Sequence, residues 1–384
     1  MPDPVFDQIS ASTLADLRAD VVWDNLFVDT AWQRLFRASA TMDDFYGGTI
    51  MQEPFQYDRV IGGAIPPASD VNVVQKQILT AAAWTPREYV HQVPLNEWQT
   101  EVLNAGPAAA VKLADLYMSN AVQSFSTDVN IDFYRHGQPS GGSVVDNRSY
   151  FLDGASEACN DGINPSWDGN VFTTYGGITR NGAVGVTLNS VPIWAGDLNG
   201  NPGQTSYKLL VEGYLNCVQE PDSGFTNKAL FGYFLERQEP KQRFVQEMDV
   251  RVGVVGLKVL NAFIHVDKLA PSTKYGTLLP TNLSNTTSVK PSTFTMPNLT
   301  AAQVAISNFP TGGGQTINPG EVFFWFRLKG WKIRPSASEA YNNHFTPPIR
   351  SQNNPDLVVM FYKNAINTYT PSPRDNQQIL GCGF

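Results

Sequence analysis

The side chains in this sequence that could do chemistry are its four histidines, three cysteines and a set of aspartates in turn-rich stretches. His91, His136, His265 and His344 stand on separate elements. Only His265, two residues before Asp267 in "IHVDK", could present two ligands from one face of a strand, because alternate residues share a face. A single exposed His beside a surface Asp is the plainer reading. No H-x-x-x-H, H-E-x-x-H or EF-hand loop occurs. Cys159, Cys217 and Cys382 lie far apart and form no C-x-x-C pair, so they read as buried or free thiols rather than a zinc centre. Asp153, Asp161, Asp168 and Asp197 could supply the carboxylate pair of a glycoside hydrolase. Nearly all of them sit beside Gly or Asn, where Asx turns explain an aspartate without catalysis.

Nucleophile and phosphate motifs are equally thin. There is no G-x-S-x-G elbow, and "TGGGQT" (residues 311–316) lacks the Lys-Ser/Thr of a phosphate loop. The octapeptide "TTYGGITR" (residues 173–180) is ambiguous by itself. Its glycines permit positive φ or a close backbone approach, and Arg180 could clamp a carboxylate. With no nucleophile, base or basic cradle nearby, it reads as a structural corner. The expectation is therefore no catalytic residue, no metal and no cofactor.

Composition points the same way. The chain has 384 residues, 42% of them hydrophobic, so it can bury a sizeable core without metal or disulfide support. Only 16% are charged, while Gly (31) and Pro (26) are plentiful. A surface poor in charge repels its own copies weakly, which favours association. The net charge of −8 and the lack of any Lys/Arg run argue against tight nucleic-acid binding, which depends on basic arrays. "MPDPVFDQIS" has neither a basic nor an apolar leader region, and no apolar run approaches the roughly 20 residues that span a bilayer. This predicts a soluble chain made inside a cell.

The elements that would position these residues can be read in order. Thr13 and Asp16 open a helical arm with Leu14, Leu17 and Val21 on one stripe, and Trp32, Leu35 and Phe36 suggest a second helical piece. Phe55, Tyr57, Arg59 and Ile61 then alternate with polar neighbours as a strand, with "DVNVVQKQI" as its return. A two-stranded ribbon is marginal alone in water, so it is expected to lie on another surface. Residues 108–135 form the best helix, with Val111, Met118, Val122, Phe125, Val129 and Phe133 on one face. Shorter helices are expected at 206–218, with Leu210, Tyr214 and Cys217 aligned, and at 226–237, with Leu230 and Phe234. "EVFFWFRLKGWKI" alternates Val322, Phe324, Phe326 and Leu328 against Phe323, Trp325, Arg327 and Lys329. Residues 271–315 are rich in Thr, Ser, Asn and Pro and read as long loops. The class is α+β with mostly antiparallel strands.

Order and texture together resemble the tailed-bacteriophage major capsid proteins, the HK97-like fold. "NVFTTYGGITRN" is similar to the stretch where that family's peripheral domain passes into its axial domain. "EPFQYDRVIGGAIPP" stands at the place of the extended loop, and residues 108–135 at the place of the long spine helix. "PDSGFTNKALFGYFLERQEPKQRF" and "DVRVGVVGLKVLNAFIHVDKLAPST" resemble axial-domain segments. "NPDLVVMFYKNAINTYTPSPRDNQQILG" resembles the C-terminal strand returning to the peripheral domain.

The resemblance implies an N-terminal arm (1–46), an extended loop and first peripheral strand (47–100), and a spine helix with the peripheral domain (101–180). An axial domain with Thr/Asn-rich loops (181–320) and strands returning to the peripheral domain (321–384) follow. It also implies a viral structural protein and no enzyme, self-assembling into hexamers and pentamers of an icosahedral head around double-stranded DNA. Scaffolding, portal and decoration proteins would be its partners, and the virion its location after assembly in the host cytoplasm. Phe55, Tyr57, Arg59, Tyr175 and Arg180 are the expected assembly contacts. Two other readings stay open: an encapsulin-type nanocompartment shell, and a β-rich glycan-binding protein or hydrolase.

Overall fold

The computed structural model describes residues 31–58, 64, 77–96, 109–137, 152–167, 170–180, 187–188, 191–192, 194–200, 205–238, 246–249, 254–272, 294–295, 316–317, 321–350 and 356–382. The N-terminal half contains α1 (Ala31–Ser39), β1 (Thr41–Met42), β2 (Met51–Gln56), β3 (Leu79–Trp84), β4 (Arg87–Asn96) and the long helix α2 (Ala109–Phe133). After it come α3 (Ala155–Ala158), β5 (Thr174–Tyr175), β6 (Ile178–Thr179), β7 (Thr187–Leu188), β8 (Val191–Pro192) and β9 (Asp197–Gly200). The next stretch holds α4 (Tyr207–Asn216), β10 (Ser223–Thr226), α5 (Lys228–Gln238), β11 (Gln246–Asp249), β12 (Val254–Val259) and β13 (Ala262–Val266). The chain ends with β14 (Phe294–Thr295), β15 (Thr316–Ile317), β16 (Glu321–Phe326), β17 (Lys332–Pro335), β18 (His344–Phe345), β19 (Ile349–Arg350), β20 (Leu357–Tyr369) and β21 (Gln377–Cys382). The α+β class is as expected. Most strand pairs are antiparallel, and β1–β17, β10–β13 and β21–β9 are the parallel ones.

Two sheets organise these elements. In the six-stranded sheet the 13-residue β20 is the axis. β4 pairs along one side of it, while β19, β18 and β17 take up the other side in succession. In the seven-stranded sheet the order is β11-β12-β13-β10-β16-β21-β9. The last part of the chain therefore does not return to a single sheet. β16 and β21 belong to the seven-stranded sheet, whereas β17 and β20 belong to the six-stranded one.

β16 shows why its sequence is apolar on both faces. Val322, Phe324 and Phe326 enter a core that also contains Phe36, Phe133, Trp331 and Tyr369. Phe323 and Trp325 point the opposite way, into a core with Leu210, Tyr214, Leu230 and Phe234. A strand covered on both faces reads as a continuous hydrophobic run. α4 starts where Ser206 Oγ accepts from Leu209 N at 3.3 Å, a side-chain cap for an otherwise unpaired donor. The expected alignments of Leu210, Tyr214 and Cys217, and of Leu230 and Phe234, are the buried faces of α4 and α5.

The long helix has 25 residues and so runs about 37 Å. Its buried stripe differs from the expected one. Ala121 packs with Val93 and Tyr362, flanked by half-buried Tyr117 and Phe125. Val129 and Phe133 continue into the main core, while Val122 (41%) and Leu116 (44%) are exposed. The second half agrees, with Phe125, Val129 and Phe133 on the buried face as expected, and the departure is that Ala121 rather than Val122 packs against β4, where Asp128 and Asp132 share the seam. The side chain of Val111 lies outside the described residues. At its C-terminal end the helix meets the turn before α3, where a Cβ on Gly154 would collide with the carbonyls of Phe133, Arg135 and Asp132.

Candidate assembly joint

β2 and β3 pair antiparallel from Met51 opposite Trp84 to Gln56 opposite Leu79, forming the root of the expected ribbon. Its return strand begins at Leu79; residues 70–76 of the expected return lie outside the described residues. Met51, Glu53, Ala82 and Trp84 face inward. The root is therefore seated on its own chain, contrary to a ribbon with little of its own to bury. Phe55 stacks on Trp194 at 4.1 Å between ring centroids. Trp84 in turn makes an edge contact with Tyr175 at 5.6 Å.

Glu53 supplies the polar half of this anchor. One carboxylate oxygen lies 2.8 Å from Lys332 Nζ, and the other takes Arg334 at 3.0 Å and the Tyr369 hydroxyl at 3.0 Å. Burying a carboxylate is costly unless its oxygens are paired, and here both are. The neighbouring charge also pushes the Tyr369 phenol up, after burial as the main cause. Tyr57 continues the ribbon outward, with its N–H donating to Ile78 O at 3.0 Å. It lines a groove of about 490 Å³ with Phe55, Asp58, Trp194, Val218 and Arg374. Arg59 lies outside the described residues.

The octapeptide is a tight hairpin wedged beneath that root. β5 and β6 pair across Gly176 and Gly177, whose φ angles of 55° and 76° are the left-handed pair that a two-residue turn demands. Gly176 O accepts from Ala83 N at 2.9 Å, tying the turn to β3. Tyr175 is wholly buried; its hydroxyl accepts from Thr370 N at 2.9 Å, and the Arg180 guanidinium lies 4.8 Å from its ring centroid. Arg180 is also wholly buried and donates to the carbonyls of Asn160 and Ala158. The structural-corner reading is what the geometry gives. Tyr175 and Arg180, expected as assembly contacts, are placed inside the molecule as internal braces.

Around this corner lies a compact polar seam. Arg87 Nη2 pairs with Asp153 Oδ1 at 3.1 Å, and Asn367 Nδ2 donates to Asp153 Oδ2 at 2.6 Å. Glu157 accepts from Gly137 N at 3.1 Å. Burial, then the nearby Asp153 charge, pushes its carboxyl up to about 8, while burial brings Arg180 down to about 10. The oxygens of Asp153 are thus committed to Arg87 and Asn367. Asp161 Oδ1 accepts from Ile163 N and Asn164 N, both at 2.8 Å, which is the Asx turn foreseen for it. The side chains of Asp168 and Asp197 lie outside the described residues.

The remaining chemical candidates resolve into packing. His265 and Asp267 are both fully buried, which corrects the expected exposed pair. His265 lies against Phe225, and Asp267 accepts from the Tyr134 hydroxyl at 2.8 Å. His136 contacts Asn170 Nδ2 at 3.1 Å, and His91 faces Asp128 at 3.7 Å in the seam between α2 and β4. His344 is half-buried on β18. All three cysteines are buried and unbridged. Among the described residues no group of three His, Cys, Asp or Glu is arranged to hold a metal.

On the outer side of α2, Leu116, Ser119, Asn120, Val122 and Gln123 are exposed, and no charged residue occurs from 116 to 127. Exposed helix faces ordinarily carry charge. An uncharged one is suited to cover by another surface.

No family model matches the sequence, and no curated protein matches it. Solved structures do. The chain is similar to the capsid asymmetric unit of cyanophage A-1(L), at 12% identity and a TM-score of 0.57, over 94% of this chain and 95% of that one. It is also similar to an encapsulin complex from Synechococcus elongatus, at 9% identity and a TM-score of 0.50, over 97% and 95%. The likeness at these identities is one of fold, and the fold is the HK97-like one expected from the resemblance.

Proposed function

We propose that this chain is a structural shell subunit, a phage major capsid protein that closes with copies of itself into hexamers, pentamers and an icosahedral head around double-stranded DNA. The observation that carries the reading is the near end-to-end match, in both directions, to a capsid subunit. Two features support it. The ribbon root is anchored by Glu53 and Trp84, so that the segment beyond Asp58 leaves from a stiff base. The outer face of the long helix is uncharged and available. In the assembled shell the ribbon lies on the long helix of a neighbour, with Tyr57 and Arg59 among its contacts. Each contact can be modest because many act together.

A net charge of −8 suits a container that holds a genome without gripping it, since tight phosphate binding needs basic arrays. Scaffolding, portal and decoration proteins are its further partners, and the virion its destination after assembly in the host cytoplasm. The match to an encapsulin keeps a second reading alive, a protein-filled nanocompartment. Negative-stain microscopy of the expressed protein tests the first step, with closed particles expected and a persistent monomer fatal to both readings. The contents of particles purified from the native source, DNA or an enzyme, decide between the two.

A further inference from the structure

A cavity of about 450 Å³ lies where four elements meet. Phe36 of α1, Phe125 and Val129 of α2, Ile333 of β17 and Ile366 of β20 give it apolar walls, and no charged residue stands among its described lining. Voids inside a packed core are rarely larger than a water molecule. One of this size and lining matches a site that takes a ligand or a chain segment.

Thr368 of β20 adds a polar demand. It lines the cavity and is wholly buried, yet its hydroxyl has no hydrogen-bond partner among the described residues. A buried polar group left unpaired is costly, so the fitting occupant is apolar and brings a hydrogen-bonding group.

The sequence supplies such an occupant beside the cavity. Residues 1–30 lie outside the described residues and join α1 at Ala31, five residues before Phe36. Within them, residues 21–28 read VVWDNLFV, six apolar residues in eight, with Trp23, Leu26 and Phe27 the bulkiest. Leaving that run in water forgoes much burial energy. The Trp23 indole and the Asn25 amide are donors that suit an unpaired hydroxyl. Reach is sufficient. The eight steps from Trp23 to Ala31 span at most about 26–29 Å, and Ala31 to Phe36 along α1 is only about 8 Å.

We propose that residues 21–28 fill this cavity in their own molecule, packing Trp23, Leu26 and Phe27 against Phe125, Ile333 and Ile366. Tethering selects the chain's own segment over that of a second copy, because so short a linker holds its end at a millimolar effective concentration. The segment thereby clasps α1 to the long helix and the six-stranded sheet. This contact lies within one molecule and stands apart from the shell reading.

Two variants of the full-length chain test it. Trp23→Asp puts a charge where the lining offers none to pair it. Amide exchange in residues 31–39 and 332–335 is expected to rise roughly tenfold or more, with the seven-stranded sheet unchanged. Leu26→Cys combined with Asn342→Cys, a half-buried lining residue, gives the second readout. The native thiols are all buried, so mild oxidation is expected to close a disulfide within one chain, seen as a faster monomer band on a non-reducing gel. A disulfide-linked dimer would assign the cavity to a second copy and overturn the proposal. Unchanged exchange in Trp23→Asp would overturn it as well. Either failure leaves the shell reading standing, since microscopy of the wild-type chain tests that separately.

Discussion

The indole of Trp84 lies flat against the phenol of Tyr369, with ring centroids 4.1 Å apart and planes 11° from parallel. Both rings are buried, and the Tyr369 hydroxyl holds Glu53. This stack joins the ribbon root to the central strand of the six-stranded sheet. Trp84→Ala is expected to lower unfolding free energy by about 3–5 kcal/mol. Denaturant melts would measure it, and hydrogen exchange should rise first in residues 51–56 and 79–84.

Glu53→Gln keeps the shape of that anchor and removes its charge. Lys332 and Arg334 then lose their carboxylate, and the expected loss is about 1.5–3 kcal/mol. The same substitution in a Lys332→Met background should cost less. Equal costs in the two backgrounds would mean that the ion pair is not what holds the root.

Gly176 and Gly177 should respond differently to substitution. A Cβ on Gly176 would stand 2.9 Å from the Trp84 ring at φ of 55°, whereas Gly177 has open space at φ of 76°. Gly176→Ala is therefore expected to cost on the order of 2 kcal/mol. Gly177→Asn, a residue that tolerates the left-handed region, should cost only a few tenths. Thermal melts of the two variants would show the contrast.

The seam between α2 and β4 predicts a pH dependence. Burial, followed by the nearby Asp132 charge, raises the Asp128 carboxyl to about 7. A carboxyl raised in the folded state contributes stability at low pH that is lost as pH climbs through 7. His91, lowered by burial, acts in the opposite sense below its ordinary 6.5. The Asp128 slope should therefore emerge between about pH 6.5 and 7.5. Asp128→Asn is expected to flatten it and to gain on the order of 2 kcal/mol at pH 8. His91→Asn should extend the wild-type slope toward lower pH. Chemical denaturation across pH 5–8 would measure all three proteins.

Replacing residues 59–76 with a short Asn-Gly turn tests the ribbon itself. Tyr57 N already bonds Ile78 O at 3.0 Å, so the ends are close enough to join. The shortened chain is expected to fold with an unchanged melting temperature and to form no closed particles by microscopy. Normal particles would refute a bridging role for the ribbon.

Much of the fold was legible because local pattern coincides with burial. The two-sided run in β16, the Ser206 start of α4 and the Tyr-Gly-Gly corner all follow from side-chain periodicity or backbone chemistry. The place of Ala121 on the buried face of α2 was hidden because alanine carries little apolar signal, and that of Asp128 and Asp132 because their polar partners lie on β4. The anchor was less visible still. Glu53 meets Lys332 and Tyr369 across separations of 279 and 316 residues, and no short window contains both sides of that contact. Tyr175 and Arg180 read from the sequence as contacts between copies, yet both are buried. Their partners lie within the same chain, which spacing alone does not reveal.

From Glu321 onward the polypeptide leaves the seven-stranded sheet, traverses the six-stranded one and comes back at Gln377. The two halves are consequently sewn together by peptide bonds as well as by their shared aromatic core. Pulling the halves apart therefore has to strip strands from one sheet or the other as well as open the shared core. A break between the two halves would demand the unravelling of at least one sheet.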